Sequence, residues 1–264
     1  MRDFEYSVLE TRRFTRDDRI SGELRGDAVV REPIPPCRFR GHAVTEQLDR
    51  RADATRQQIV LAASHQFARK SYSQVNLDDI LTQAEVTKGA MYFHFRSKHE
   101  LAVAIINHQT ALSYEAMNEV LSRRLAGLET LIDVSCLIVG KDIGDDVCRA
   151  GLNLLESIGR TDGVQTRVLG EWTSAFAEVI RRAIAEGDVV ADREPEDVSR
   201  VLISAFMGLR QTSDVNDPQR YFTDLQKTWA LTLPGFANPD RIGYLNQFIK
   251  RRIALAIHNA KPLT

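Results

Sequence analysis

The sequence predicts an all-α protein, in which a small N-terminal helix-turn-helix domain precedes a larger helical body. Two observations carry this prediction. From Ala54 onward, apolar residues recur three and four residues apart, the spacing of one face of a helix. Helix-starting residues, chiefly Asn76, Thr87 and Ser97, divide that pattern into short segments near residue 90 and longer segments after it.

Charge is unevenly distributed along the chain, although the formal net charge is only −1. Residues 51–100 hold seven Lys and Arg against five Asp and Glu, whereas residues 101–240 hold 13 against 21. A mildly basic end beside an acidic body fits a DNA-binding domain joined to a body that does not bind nucleic acid. Random variation of surface charge is the alternative explanation.

The three cysteines form no paired framework, which indicates a reducing compartment without structural disulfides. No apolar run approaches the roughly 18–20 residues that span a bilayer, and the N-terminus lacks the apolar segment of a signal peptide. We therefore expect a cytoplasmic protein that is not associated with a membrane.

Residues 1–50 contain ten Arg, ten acidic residues and no Lys, with a proline-rich break near residue 35. Their apolar residues are sparse, so we predict a mobile extension, or one that arises from the choice of start codon. Four arginines precede the first helix and are candidates for DNA backbone or minor-groove contact, with a solvated tail as the alternative. They are Arg38, Arg40, Arg50 and Arg51.

Residues 51–98 are the predicted DNA-binding domain. A first helix over Ala54–Arg69 carries apolar residues at i+4 spacing. Asn76 then caps a second helix, a tight turn follows at residues 84–86, and Thr87 caps a third. The S-x-x-E pattern of Ser97 and Glu100 is a capping box that opens a longer helix reaching about Arg124.

In a helix-turn-helix the second helix of the motif enters the major groove by its N-terminal end. Gly89 and Ala90 are small enough to let that end approach the bases, and Lys88 can donate to guanine. Tyr92, His94 and Lys98 are expected to hold phosphates, with a solvated surface as the alternative for the charged groups. The full predicted DNA-binding set is Asn76, Thr87, Lys88, Gly89, Ala90, Tyr92, Phe93, His94 and Lys98.

The run T-K-G-A-M-Y-F-H-F-R-S-K at residues 87–98 resembles the signature of the tetracycline-repressor (TetR) family of bacterial regulators, and its second half is most similar to the γ-butyrolactone autoregulator receptor branch. The resemblance is specific over Ala54–Leu101 and looser beyond. Two positions depart from it. Glu85 stands where a glycine is usual, at a cost on the order of 1 kcal/mol if its φ is positive, and Asp78 stands where relatives are often basic.

The resemblance implies that residues 99–236 bind a ligand and dimerise, and that the helix after Ser97 transmits ligand binding. Trp172, in the motif E-W-T, aligns with a pocket tryptophan of butyrolactone receptors. It lies on an apolar stripe with Val168 and Phe176, and these three are the predicted ligand-binding residues. A packed core tryptophan is the alternative, and both can hold together.

Residues 198–233 contain two apolar helices, which the resemblance implies form a four-helix bundle with a second copy. The predicted dimerisation residues are Val201, Leu202, Ala205, Gly208, Leu209, Leu225 and Trp229. A last helix within residues 237–264 begins near Asn238 and carries Lys250, Arg251 and Arg252, and its role stays open.

Motifs of catalytic loops, phosphate-binding loops and metal sites are absent, and the six histidines lack metal-ligand spacing. We therefore expect neither catalysis nor a cofactor or metal. The predicted function is a homodimeric repressor of a palindromic DNA operator, with half-sites ~34–36 Å apart, released by a small apolar effector. The alternative is a small-molecule-binding protein of the same fold with weak or lost DNA binding.

Overall fold

The computed structural model describes residues 41–263, with side chains described from Arg51 onward except that of Asp162. This part of the chain is helical and contains no β-strand. Its ten α-helices are α1 Gly41–Arg69, α2 Leu77–Gln83, α3 Lys88–His94, α4 Lys98–Ser122, α5 Gly127–Gly144, α6 Asp146–Ser157, α7 Val164–Ala185, α8 Pro195–Thr212, α9 Pro218–Thr232 and α10 Pro239–Asn259. The predicted all-α fold is therefore confirmed.

The starts of α2, α3 and α4 are fixed by side-chain caps at the predicted residues. Asn76 accepts a hydrogen bond from the amide of Asp78, and Thr87 accepts one from the amide of Ala90 at 3.2 Å. Ser97 accepts one from the amide of Glu100. Each cap satisfies one of the amides that a helix start leaves without a partner. The Glu100 carboxylate bonds the amide of Arg96 instead of that of Ser97, so the reciprocal half of the capping box is displaced by one residue.

One apolar cluster holds the first three helices together. Its members include Ile59 and Phe67 on α1, Ile80 on α2 and Met91 on α3, each at most 1% exposed. Full burial of one such side chain contributes about 1.5–3 kcal/mol. The same cluster continues into α4, α6 and α7, so the predicted DNA-binding domain, residues 51–98 and called here the head, shares its core with the adjoining end of the body.

A second cluster fills the body and includes the inward faces of α5, α7, α8, α9 and α10. Helices α4 and α6 pack closely where Gly151 faces Gln109, and a Cβ added to Gly151 would lie 2.3 Å from the Gln109 Cβ. Outside the helices, an antiparallel bridge pairs Val189 with Ala237 and ties the α7–α8 loop to the segment before α10. The body is thus a single packed unit that adjoins the head through α4, α6 and the first turns of α7.

One predicted boundary is wrong. Helix α1 begins at Gly41 and not at Ala54, so Arg50 and Arg51 belong to a helix and not to an extended arm, while Arg38 and Arg40 lie outside the described residues. Further along the chain, Gly140 lies inside α5, which continues to Gly144. A single glycine costs only about 1 kcal/mol inside a helix, and the buried neighbours of α5 outweigh that cost.

Candidate DNA-binding head and effector cavity

The turn between α2 and α3 has helix-turn-helix geometry. Its second residue, Glu85, has a φ of 53°, the left-handed conformation in which glycine carries no steric penalty. The amides of Glu85 and Val86 bond the carbonyls of Thr82 and Leu81, which closes the turn tightly. The strain expected from a non-glycine residue at this position is therefore present in the structure.

Helix α3 buries only Met91 and leaves most of its other side chains in solvent. Lys88 and Gly89 are exposed, Tyr92 is 43% exposed and Phe93 is 79% exposed. The Phe93 ring meets the half-buried His94 ring edge to face, with centroids 5.0 Å apart. An exposed phenylalanine beside an exposed tyrosine on a seven-residue helix forms a surface suited to a partner.

Lys98 is the predicted DNA-binding residue whose placement the structure contradicts. Its ammonium donates to the backbone carbonyls of Tyr72 and Val75, the latter at 2.6 Å, and lies 4.5 Å from the centre of the Tyr72 ring. Partial burial lowers the pKa of Lys98 from its ordinary value. Lys98 therefore fastens the α1–α2 loop to the start of α4 and does not present a free charge to a phosphate.

An apolar cavity lies in the body, with walls from α4, α5, α7, α8 and α9. Its volume is about 70 Å³. The residues that line it include Tyr114, Met117, Ile138, Phe206, Thr228 and the two tryptophans. None of the described residues that line it carries a charge. The cavity therefore suits an uncharged, largely apolar molecule.

Both tryptophans of the chain, Trp172 and Trp229, line this cavity. The Trp229 indole donates to the Ser135 hydroxyl at 2.9 Å. The Trp172 indole N–H is buried and has no hydrogen-bond partner. A buried N–H without an acceptor costs about 1–3 kcal/mol, which an acceptor atom on a bound molecule would recover.

The predicted ligand-binding residues divide between two places. Trp172 and Phe176 line the cavity. The prediction that Val168 binds ligand is wrong, because Val168 is fully buried in the cluster shared with the head and does not line the cavity. One turn of α7 separates Val168 from Trp172, and the cavity begins on the C-terminal side of that turn.

Four predicted dimerisation residues lie in the core of a single chain. Leu202, Leu209, Leu225 and Trp229 are at most 8% exposed and belong to the body cluster, and all but Leu209 also line the cavity. They cannot form a surface for a second copy. Helices α8 and α9 are apolar on their inward faces because α5, α7 and α10 cover them, which a one-dimensional stripe does not reveal.

Of the remaining predicted dimerisation residues, two face outward. Val201 is 53% exposed, and Gly208 is exposed with open space where a Cβ would stand. Ala205 is half-buried and lines the cavity. Leu231 of α9, which the sequence pattern did not single out, is 83% exposed. Helices α8 and α9 therefore both present exposed apolar or small residues to solvent.

The sequence pattern also failed to predict a buried polar cluster around Asp142 and Arg210. The Asp142 carboxylate is fully buried and receives two hydrogen bonds from Arg210, at 2.9 and 3.2 Å, and one from the Tyr221 hydroxyl at 3.1 Å. Arg210 is 7% exposed and also bonds Glu156 and Asn153. An arginine inside the stripe of α8 was the available signal, since a buried charge requires a partner.

No three His, Cys, Asp or Glu side chains in the part of the chain that the structure describes are grouped as metal ligands would be. No described helix is both long and apolar enough to cross a membrane.

Comparison with known proteins agrees with this geometry. Residues 59–105 match the family model described as bacterial regulatory proteins, tetR family, and this range covers most of the head and the start of α4. The chain belongs to the TetR family. It is a TetR-family transcriptional regulator.

Relatives extend the similarity into the body of this TetR-family chain. It is 27% identical over 197 residues to the A-factor receptor protein of Streptomyces griseus, covering 74% of this chain and 68% of that protein. A solved structure of a gamma-butyrolactone receptor, an ArpA-like protein, is 27% identical with a TM-score of 0.66, covering 78% of this chain and 99% of that one. CprB from Streptomyces coelicolor, solved with its biological operator sequence, is 28% identical with a TM-score of 0.62, over 76% and 98% of the two chains.

Proposed function

We propose that the protein is a homodimeric repressor that binds a palindromic operator through α3 and is released by a small neutral effector in the body cavity. The observation that carries the proposal is the surface of α3, where Lys88, Gly89, Tyr92 and Phe93 all face solvent on a helix whose buried side is Met91 alone. The helix exposes apolar area to solvent, and binding in a DNA groove would cover that area.

Each outward residue of α3 has a role that fits its chemistry. Lys88, in the first turn, donates to guanine O6 and N7, and Gly89 and Ala90 give the clearance that brings that turn against the bases. Phe93 contacts thymine methyl groups or sugar, and Tyr92 and His94 donate to phosphates. Thr87 and Asn76 act indirectly, because their side chains cap α3 and α2 and so fix where the two helices begin.

Two copies are needed to read a palindrome, and the outward side of α8 and α9 is the candidate interface. Val201, Ser204 and Gly208 lie three and four residues apart on α8, and Leu231 of α9 is the most exposed large apolar residue described. The glycine and serine let a second helix approach closely. These residues form the seam that we propose sets the two heads at ~34–36 Å.

The effector is a neutral apolar molecule with a hydrogen-bond acceptor. The cavity wall carries no charge among the described residues, and the Trp172 indole N–H is the buried donor that lacks a partner. The names of two relatives, an A-factor receptor and a gamma-butyrolactone receptor, agree with an acceptor-bearing ligand of this kind.

The small size of the cavity suggests how effector binding leads to release of the operator. A volume of about 70 Å³ is well below the ~300–1,000 Å³ typical of ligand pockets. An effector therefore selects a state in which the walls from α7, α8 and α9 have moved apart. To shift the protein from mostly bound to mostly free, it must prefer that state by roughly 5 kcal/mol.

DNA binding is tested by selection from a random duplex pool with the purified protein. We expect an enriched palindrome with half-sites about one helical turn apart, retarded in a gel, and a weaker complex with added γ-decalactone, an alkyl-substituted γ-butyrolactone. Failure to enrich any sequence would contradict the repressor proposal. If γ-decalactone still bound, as judged by tryptophan emission, the protein would instead be a small-molecule-binding relative that has lost its operator.

The dimer is tested by sedimentation of Val201→Glu beside Leu255→Glu. Leu255, on α10, is 47% exposed against 53% for Val201, so the two changes carry a similar cost within one chain. We expect Val201→Glu to sediment as a monomer and Leu255→Glu as a dimer. Dimers from both variants would place the interface elsewhere.

A further inference from the structure

Asn153, on α6, joins the head to the body through both ends of one side-chain amide. Its NH₂ group donates to the backbone carbonyl of Phe67 at 2.9 Å, and its amide oxygen accepts from the Arg210 guanidinium at 2.7 Å. Phe67 belongs to α1 and Arg210 to α8. One side chain therefore connects the core helix of the head to a wall helix of the cavity.

The bond to Phe67 holds the end of α1. The last four carbonyls of a helix have no partner within it, and Phe67 lies two residues before the end of α1 at Arg69. Asn153 supplies the missing donor. A second contact strengthens this connection, because Asp146, also on α6, accepts from Arg69 at 2.6 Å and pairs with His65 Nδ1 at 2.9 Å. Helix α6 thus holds the last two turns of α1.

The bond to Arg210 ties α6 to the cavity wall. Burial opposes the charge of Arg210, but Asp142 and Glu156 outweigh it, so the pKa of the guanidinium lies above its ordinary value. Ile203 and Phe206 of the same helix, one to two turns earlier, line the cavity. A displacement of α8 that enlarges the cavity must therefore move Arg210 or stretch its bonds to α6.

Helix α6 is rigidly seated between these two ends. Its Gly151 packs against Gln109 of α4 so closely that a Cβ could not be added without a shift. Because it is held against α1, α4 and α8 at once, α6 moves as a unit and does not absorb a displacement locally.

We propose that Asn153 is a positioning residue, and that the link from Arg210 through Asn153 to the Phe67 carbonyl, called here the amide relay, couples the cavity to the DNA-binding head. The inference rests on the proposed function, since it concerns how effector binding reaches α3. Coupling of two binding sites is reciprocal, so operator binding at the head must also alter the cavity.

The fluorescence of the two tryptophans provides a signal from the cavity. Trp172 and Trp229 are the two tryptophans of the chain and both line the cavity, so selective excitation of tryptophan reads the cavity without a known effector. The operator selected from the random pool is titrated into the wild-type protein. We expect an emission change that saturates with the same dissociation constant as DNA binding followed by anisotropy of a labelled operator.

The decisive variant is Asn153→Asp, with Ser157→Ala as its control. Aspartate keeps the oxygen that accepts from Arg210 but lacks the N–H donor to Phe67, so it breaks the relay at the head alone. Ser157 lies one turn further along α6 and bonds only within that helix. At saturating operator we expect the emission change of Asn153→Asp to be smaller by a factor of roughly 3 or more, the size of effect that breaking one link of a coupling network produces. Ser157→Ala should retain the full change.

The outcomes separate the two proposals. Wild-type protein that binds no operator contradicts the proposed function and the relay with it. Wild-type protein that binds operator without an emission change, or an Asn153→Asp variant with the full change, overturns the relay alone. Should Asn153→Asp not fold, hydrogen exchange of the wild type decides. Operator-induced protection that reaches α6 and residues 200–212 supports the relay, and protection confined to residues 51–100 overturns it.

Discussion

The head and the body place their candidate binding groups in opposite surroundings. In the head, Lys88, Tyr92 and Phe93 stand in solvent on a seven-residue helix with one buried side chain. In the body, the two tryptophans face an internal cavity and the charged Asp142–Arg210 pair is buried. The head is thus built to be covered by a partner, whereas the body is built to admit one.

The difference matters because the same residue type has a different energetic role in each region. A cation on the head surface loses little when its partner is removed, since water replaces the partner. A cation in the body has no water to replace its partner. The comparison can be tested by removing matched groups from both regions.

The largest effect is expected for Arg210→Met. This change leaves the fully buried Asp142 carboxylate without its cation, and breaking a buried pair costs about 3–5 kcal/mol. Urea denaturation should show that loss as a lower free energy of unfolding. The control is Arg220→Met, which removes a 63% exposed partner of Asp224 and should cost less than about 1 kcal/mol. Equal losses from the two variants would mean that Asp142 is reached by water.

Lys98→Met and Lys88→Met compare two lysines of the head. Lys98→Met should lower the free energy of unfolding by about 1–2 kcal/mol, because the Tyr72 and Val75 carbonyls lose their donor. It should weaken operator binding without changing the slope of affinity against salt. Lys88→Met should leave stability within about 0.5 kcal/mol and lower the discrimination between operator and mismatched DNA by about 1–3 kcal/mol, because Lys88 is proposed to read guanine.

The salt slope is the quantity that discriminates between the two roles of Lys98. A slope that falls on Lys98→Met, with stability unchanged, would return Lys98 to the phosphate-binding role that its sequence position suggests.

The two regions also differ in how far sequence determines them. In the head, caps and periodicity predicted α2, α3 and the start of α4, because these features depend on residues within one turn of each other. Side-chain direction on α3 followed as well, since so short a helix buries little. Lys98 was the exception, because its carbonyl partners at Tyr72 and Val75 lie more than 20 residues away in sequence.

In the body, periodicity predicted the helices but not their neighbours. Helix α8 is apolar on its inner side and small or apolar on its outer side, so a stripe cannot separate Leu202, in the core, from Val201, at the surface. The length of α1 was missed for a related reason, because residues 41–53 are polar and lack the spacing that marks a packed helix.

A smaller effect, expected in both regions alike, comes from replacing the two non-glycine residues that have a positive φ within residues 41–263. Glu85 in the head has a φ of 53°, and Arg124 after α4 has a φ of 56°. Glu85→Gly and Arg124→Gly should each raise the free energy of unfolding by about 1 kcal/mol. Glu85→Gly alone should also tighten operator binding, because it removes an acidic group from the turn before α3. Tighter binding by both variants would show that stability, and not local charge, limits DNA affinity.

The two cavity tryptophans are expected to differ in their effect on stability, and Trp172→Phe is expected to have the smaller one. Trp229→Phe removes the donor to Ser135, and we expect a loss of about 1 kcal/mol in the free energy of unfolding. Trp172→Phe removes an N–H that has no partner, so the lost packing and the relieved desolvation nearly cancel, within about 0.5 kcal/mol.

Ligand binding should reverse that order. In a titration with γ-decalactone, Trp172→Phe should weaken binding by roughly tenfold, the effect of one hydrogen bond to a buried donor. The loss on Trp229→Phe should be smaller, since its indole already bonds Ser135. If Trp229→Phe lost more affinity than Trp172→Phe, the effector would be anchored on the α5–α9 side of the cavity, and the unpartnered indole would be a cost of the fold with no role in recognition.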